Sequence, residues 1–181
     1  MRNLKFDLTD VAQLDNGIWT IGKIFDTIDF EYIKDSVIAS PQDLYSPSPA
    51  NPETRFELTW QRNGVLDELW TAFESFTPAI SQLTDADLRF GQIRVWQDHP
   101  GFMIPFHEDD QSAFAHIQVY IDGPSEDIGT TWYTTKGRHS CPFIPNTGYL
   151  TICSERLPHG MLRPVGDRIR YSLYATFNKK S

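Results

Sequence analysis

From Leu88 onward, regular turn signals cut the chain into short segments of strand length. Segments rich in β-branched and aromatic residues cover 90–96, 103–108, 114–121, 130–134, 149–154, 161–164 and 169–177. Between them stand Asp98-His99-Pro100-Gly101, Asp122-Gly123-Pro124, Pro145-Asn146-Thr147-Gly148 and Val165-Gly166-Asp167. Strands this short and this numerous bury an apolar face only against another sheet or against themselves. The pattern therefore predicts a sandwich or barrel.

The preceding 87 residues have a different texture. Asp29 is placed to cap a helix in which Phe30, Ile33 and Val37 recur at helical spacing. A stronger helix is predicted over 65–76, where Val65, Leu66, Leu69, Trp70, Phe73 and Phe76 form a broad apolar stripe, and Pro78 should then break or restart it. Residues 40–52 are rich in proline and small polar residues and read as a surface loop, and 55–60 alternate as a strand. With 181 residues the expectation is one domain, 1–181, with a support of helices and strands over 1–87 and a β core over 88–178.

A formal charge of -8 and a pI of about 5.0 disfavour a nucleic-acid partner, which selects for a basic face. Cys141 and Cys153 lack zinc-like spacing and are expected as reduced thiols. The amino-terminal residues lack a signal-peptide pattern, and no apolar run reaches membrane-spanning length. The expectation is a cytoplasmic protein with no membrane association; composition leaves its oligomeric state open.

Five scattered residues carry the chemistry: His107, Asp109, His159, Arg170 and Ser172. On a strand, His107 and Asp109 point to the same side while Glu108 points away. His159 follows in Leu157-Pro158-His159-Gly160. Two imidazoles and one carboxylate on one face of an octahedral ion leave three positions open, the facial triad of non-haem Fe(II) oxygenases. Arg170 shares a strand face with Ser172 and is flanked by Leu173, Tyr174 and Phe177. An inward arginine there requires an anion. A dicarboxylate supplies one, and an internal Asp or Glu is the alternative. His99 and His139 lie in a turn and a polar loop. His116 is the nearest competitor for the metal, and Asp110 faces away from His107 on a regular strand.

Over residues 90–177 this pattern resembles the Fe(II)- and 2-oxoglutarate-dependent dioxygenases, in particular their prolyl-hydroxylase-like branch. The resemblance implies a mainly β fold with flanking helices: a distorted double-stranded β-helix, jelly-roll and cupin-like, on an N-terminal helical support. It implies Fe(II) on His107, Asp109 and His159. The far carboxylate of 2-oxoglutarate would rest on Arg170 and Ser172, with Tyr120, Gln118 and Trp96 lining the cosubstrate pocket. The implied reaction uses O2, with ascorbate in support, to convert 2-oxoglutarate into succinate and CO2 while a C–H bond is hydroxylated. Asp109 leaves no halide position, which favours hydroxylation over halogenation. The implied substrate is an amino-acid residue, peptidyl (for example prolyl) or free, recognised by loops 40–52, 123–128 and 134–142. Two alternatives remain: a cupin-type metalloenzyme that does not use 2-oxoglutarate, and an inactive jelly-roll binding module.

Overall fold

The structure is a computed structural model that describes residues 2–7, 10–59, 64–109 and 111–180. In chain order its elements are β1 (Val11–Asp15), β2 (Ile18–Ile21), α1 (Thr27–Ile38), β3 (Tyr45–Pro47), β4 (Arg55–Leu58), α2 (Val65–Thr84) and β5 (Leu88–Asp98). These are followed by β6 (Ala115–Asp122), β7 (Thr130–Thr134), β8 (Gly137–Cys141), β9 (Gly148–Ile152), β10 (His159–Gly160) and β11 (Arg170–Lys179). Eight strands form one antiparallel sheet in the order β1-β2-β9-β6-β11-β5-β4-β3, and β10-β7-β8 form a second. The expected mainly β jelly roll with flanking helices is the architecture observed. The first 87 residues do more than support it, because β1 to β4 extend both edges of the large sheet.

The period-2 alternation of β11 assigns its two faces. Leu173, Ala175 and Phe177 are fully buried on the outer side, in one cluster with Ile93, Val95, Ile117 and Val119 and with Leu69, Phe73 and Ile80 of α2. Arg170, Ser172 and Thr176 are buried on the inner side. There a second cluster, containing Phe102, Tyr120, Ile128, Trp132, Phe143 and Tyr149, fills the space between the sheets.

α2 does cover the outer face of the large sheet, but it does not stop at Pro78: it runs on to Thr84. Pro78 is exposed, while Phe73, Thr77 and Ile80 are buried on the opposite side. The Glu74 carbonyl that loses its donor thus faces solvent, and the packed face holds the helix together across the break. Phe73 has no exposed surface, and its ring lies 6.1 Å from Phe25 and 6.2 Å from Phe90. Phe73→Ala should therefore cost about 3–5 kcal/mol of unfolding free energy in a urea titration. A near-neutral result would mean that the stripe is not part of the core.

Several boundaries differ from expectation. The first helix is capped by the Asp26 carboxylate, which accepts from Ile28 N–H at 3.0 Å. Asp29 lies in its first turn and pairs with Arg2 at 2.7 Å. Segments 103–108 and 161–164 are not strands: the first contributes only the bridge of His107 to His159, and Met161 N–H donates to the Ile104 carbonyl at 2.9 Å. Pro105 and Pro164 have no N–H to give to a ladder. The 134–142 loop proves to be the β7–β8 hairpin, turned at Thr135 and Lys136, with Gly137 opening β8 at φ 119°. The far end of the 55–60 strand lies partly outside the described residues.

Candidate metal centre and active-site cavity

Backbone pairing sets the site. His107 N–H donates to the His159 carbonyl at 3.0 Å and His159 N–H to that of His107 at 2.9 Å. The two rings thereby lie side by side, 4.6 Å between centroids. Each Nδ1 approaches a main-chain carbonyl two residues back: Pro105 O at 3.0 Å for His107 and Leu157 O at 2.9 Å for His159. These contacts place the protons on Nδ1 and leave both Nε2 lone pairs available. Both Nε2 atoms converge on Asp109 Oδ1, at 3.7 Å from His107 and 3.6 Å from His159.

Those separations are too long for hydrogen bonds. They exceed by roughly half an ångström or more the ~2.8–3.1 Å between adjacent ligand atoms of an octahedral ion with bonds of ~2.0–2.2 Å, so a small inward movement of the three side chains would close them on a cation. Asp109 Oδ2 is buried with no hydrogen-bond partner among the described residues. A divalent ion fits this donor set: two oriented imidazoles and a buried carboxylate, one ligand atom from each within 4.8 Å of the others.

The electrostatics agree. Burial raises the Asp109 carboxyl, but His107, His116 and His159 outweigh it and hold the group down at about 2. The facing carboxylate raises His107, while burial lowers His159. His116 is fully enclosed and lowered by burial to about 4, so it is neutral at ordinary pH. The nearest competitor for the metal in the sequence, it sits against Asp109 beside the triad, with Nδ1 3.3 Å from Asp109 Oδ2 and 3.7 Å from Cys153 Sγ. Asp110 lies outside the described residues.

A cavity of about 250 Å³ opens onto the triad. Gln118 and Trp96 line it, joined by Arg55, Tyr149, Thr130, Tyr174 and Met161, which the sequence pattern did not single out. Gln118 also donates to the Leu173 carbonyl at 3.1 Å. Tyr120 is not on the wall: its hydroxyl donates to Thr130 Oγ1 at 3.1 Å and accepts from Thr130 N–H at 3.0 Å. Tyr149, on the adjacent strand β9, presents its ring to the cavity. A side chain at Gly148 would collide with the Gln118 carbonyl oxygen, so glycine is what lets β9 approach β6 this closely.

Arg170 points inward and is buried, but the anion it meets is internal. Its Nε and Nη2 donate to Asp98 Oδ2 at 2.9 and 2.7 Å, and its Nη1 donates to the Ile128 carbonyl at 2.9 Å. Ser172 is fully buried, and its Oγ has no partner among the described residues.

No family model matches the sequence, and no curated protein matches it. Solved structures do. A prolyl hydroxylase from Trichoplax adhaerens, in complex with a hypoxia inducible factor oxygen degradation domain peptide fragment, matches with a TM-score of 0.69 at 14% identity, over 91% of this chain and 84% of that one. The chain has the fold of the 2-oxoglutarate–Fe(II) oxygenases. HygX from Streptomyces hygroscopicus, with nickel, 2-oxoglutarate and hygromycin B bound, matches with a TM-score of 0.65 at 11% identity, over 91% of this chain and 83% of that one. A Pseudomonas putida prolyl-4-hydroxylase matches with a TM-score of 0.51 at 19% identity, over 64% of this chain and 66% of that one.

Proposed function

We propose that this protein is an Fe(II)- and 2-oxoglutarate-dependent dioxygenase that hydroxylates a C–H bond of an amino-acid residue, peptidyl (for example prolyl) or free. The observation that carries the reading is the convergence of the His107 and His159 Nε2 atoms on Asp109 Oδ1 at the wall of a cavity. Iron held there would supply the activation of O2 coupled to oxidative decarboxylation of 2-oxoglutarate to succinate and CO2.

The chain's own residues orient and exclude. Main-chain carbonyls fix both imidazoles, and His116 backs the carboxylate without adding charge. Arg170 and Ser172, on the inner face of β11, mark the end of the site that would take the far carboxylate of the cosubstrate. Trp96, Gln118 and Tyr149 wall the space between, and Tyr120 acts from behind it through Thr130. Phe106, beside the first ligand, is 39% exposed and lies 5.1 Å from the half-exposed Tyr133 ring. Such an aromatic pair suits an apolar ring or side chain of a substrate. A peptide fragment and hygromycin B bound to two structural neighbours support both a peptide and a small-molecule substrate.

One observation favours a metalloenzyme that does not use 2-oxoglutarate: Arg170 is already neutralised by Asp98. Anaerobic loading with Fe(II), then addition of O2, ascorbate and 2-oxoglutarate, separates the two. Succinate formed in proportion to protein supports the dioxygenase. Iron binding without succinate, with or without candidate peptides, supports the alternative.

A further inference from the structure

Asp98 is bracketed. In the register of the large sheet it stands opposite Arg170 on one side and opposite Arg55 on the other, so the three side chains form a row across β11, β5 and β4. Arg55 Nε donates to Asp98 Oδ1 at 2.6 Å and its Nη2 to Oδ2 at 3.0 Å, while Arg170 binds Oδ2 from the opposite flank. Asp98 has no exposure, Arg170 is 4% exposed, and the Phe102 ring packs near both guanidinium groups, 4.1 Å from that of Arg55 and 5.6 Å from that of Arg170.

Two cations around one carboxylate leave a unit of positive charge in a poorly hydrated place, which is costly without another anion. All three nitrogens of Arg170 are committed. Nη1 of Arg55 is not: it has no hydrogen-bond partner among the described residues, and Arg55, unlike Arg170, lines the cavity. The Arg55 guanidinium lies 4.7 Å from the Trp96 ring, another wall of the cavity, which fixes its plane. Ser172, on the same inner face and opposite Trp96 in register, adds a buried hydroxyl with no partner among the described residues.

We propose that Arg55, from the N-terminal strand β4, is the anchor for the far carboxylate of a dicarboxylate 2-oxo acid, and that Arg170 is a positioning residue that acts through Asp98. The inference rests on the dioxygenase reading and sharpens it. Asp98 holds both guanidinium planes in register, so that the free edge of Arg55 faces the cavity before any ligand arrives.

The test is anaerobic calorimetric titration of the Fe(II)-loaded protein with 2-oxoglutarate and with 2-oxobutanoate, which lacks the far carboxylate. The ratio of the two affinities is the readout. In Arg55→Met the preference for 2-oxoglutarate should fall by about a hundredfold or more, with 2-oxobutanoate affinity and iron content unchanged. Arg55→Lys keeps a charge beside Asp98 without the fork and should lose part of the preference; it carries the test if Arg55→Met does not fold. An unchanged ratio in these variants overturns the assignment of Arg55 while leaving the dioxygenase reading in place. Equal weakening of both acids also overturns it. Wild-type protein that binds neither acid overturns both readings.

Discussion

Replacing His159 by alanine should abolish iron retention and turnover at any concentration of 2-oxoglutarate. His159 supplies one of three converging ligand atoms, and its imidazole is held by the Leu157 carbonyl rather than by a group that could take its place. Removing a partner outside the ligand set typically costs ~10–100-fold in metal affinity or activity, so deleting a ligand should cost more. The fold should survive, because the exchange of backbone hydrogen bonds between His107 and His159 does not involve the ring. Iron content after dialysis, succinate formation and thermal unfolding read the three effects separately. Variant protein that keeps a full equivalent of iron would remove the triad from the metal, whatever its activity.

What sequence could and could not show follows from the physics of each residue. The triad was legible because its geometry is largely local: His107 and Asp109 share one short segment, and His159 has its own orienting carbonyl nearby. The inner and outer faces of β11 were legible from alternation alone. The partner of Arg170 was not. Asp98 sits in Asp98-His99-Pro100-Gly101, which reads as a turn, and Arg55 belongs to a segment far upstream. Only the register of three antiparallel strands brings them together.

Tyr120 and Tyr149 show the same limit. Both are buried aromatics on neighbouring strands, and the pairing of Gln118 with Tyr149 decides which one walls the cavity. The polar Gly137–Cys141 segment gave no strand signal because it edges a small sheet and has little apolar face to declare. The hairpin of β1 and β2 did carry a signal, Asn16-Gly17 between Leu14 and Ile18, with Gly17 at φ 73°. Helix α2 outlasts Pro78 because tertiary packing on one face outweighs a local penalty on the other.

Asp98→Ala should be the most destabilising change in the cationic row. Arg170→Ala leaves Asp98 paired with Arg55, whereas Asp98→Ala strips the carboxylate from two guanidinium groups at once. Breaking a buried pair by removing one partner costs about 3–5 kcal/mol, because the charge left behind is no longer compensated. For a chain of this length each kcal/mol is worth roughly 2–4 °C of melting temperature. Differential scanning calorimetry of the metal-free protein should therefore show a drop of roughly 6–20 °C. Adding Arg170→Met to Asp98→Ala should return part of the loss, since the second change removes one of the two stranded cations. That non-additivity separates a charge effect from a packing effect. A melting temperature within about 2 °C of wild type for Asp98→Ala would mean the row is well hydrated. The excess positive charge would then exert no pull on a carboxylate in the cavity, and recognition of the cosubstrate would have to come from the metal end alone.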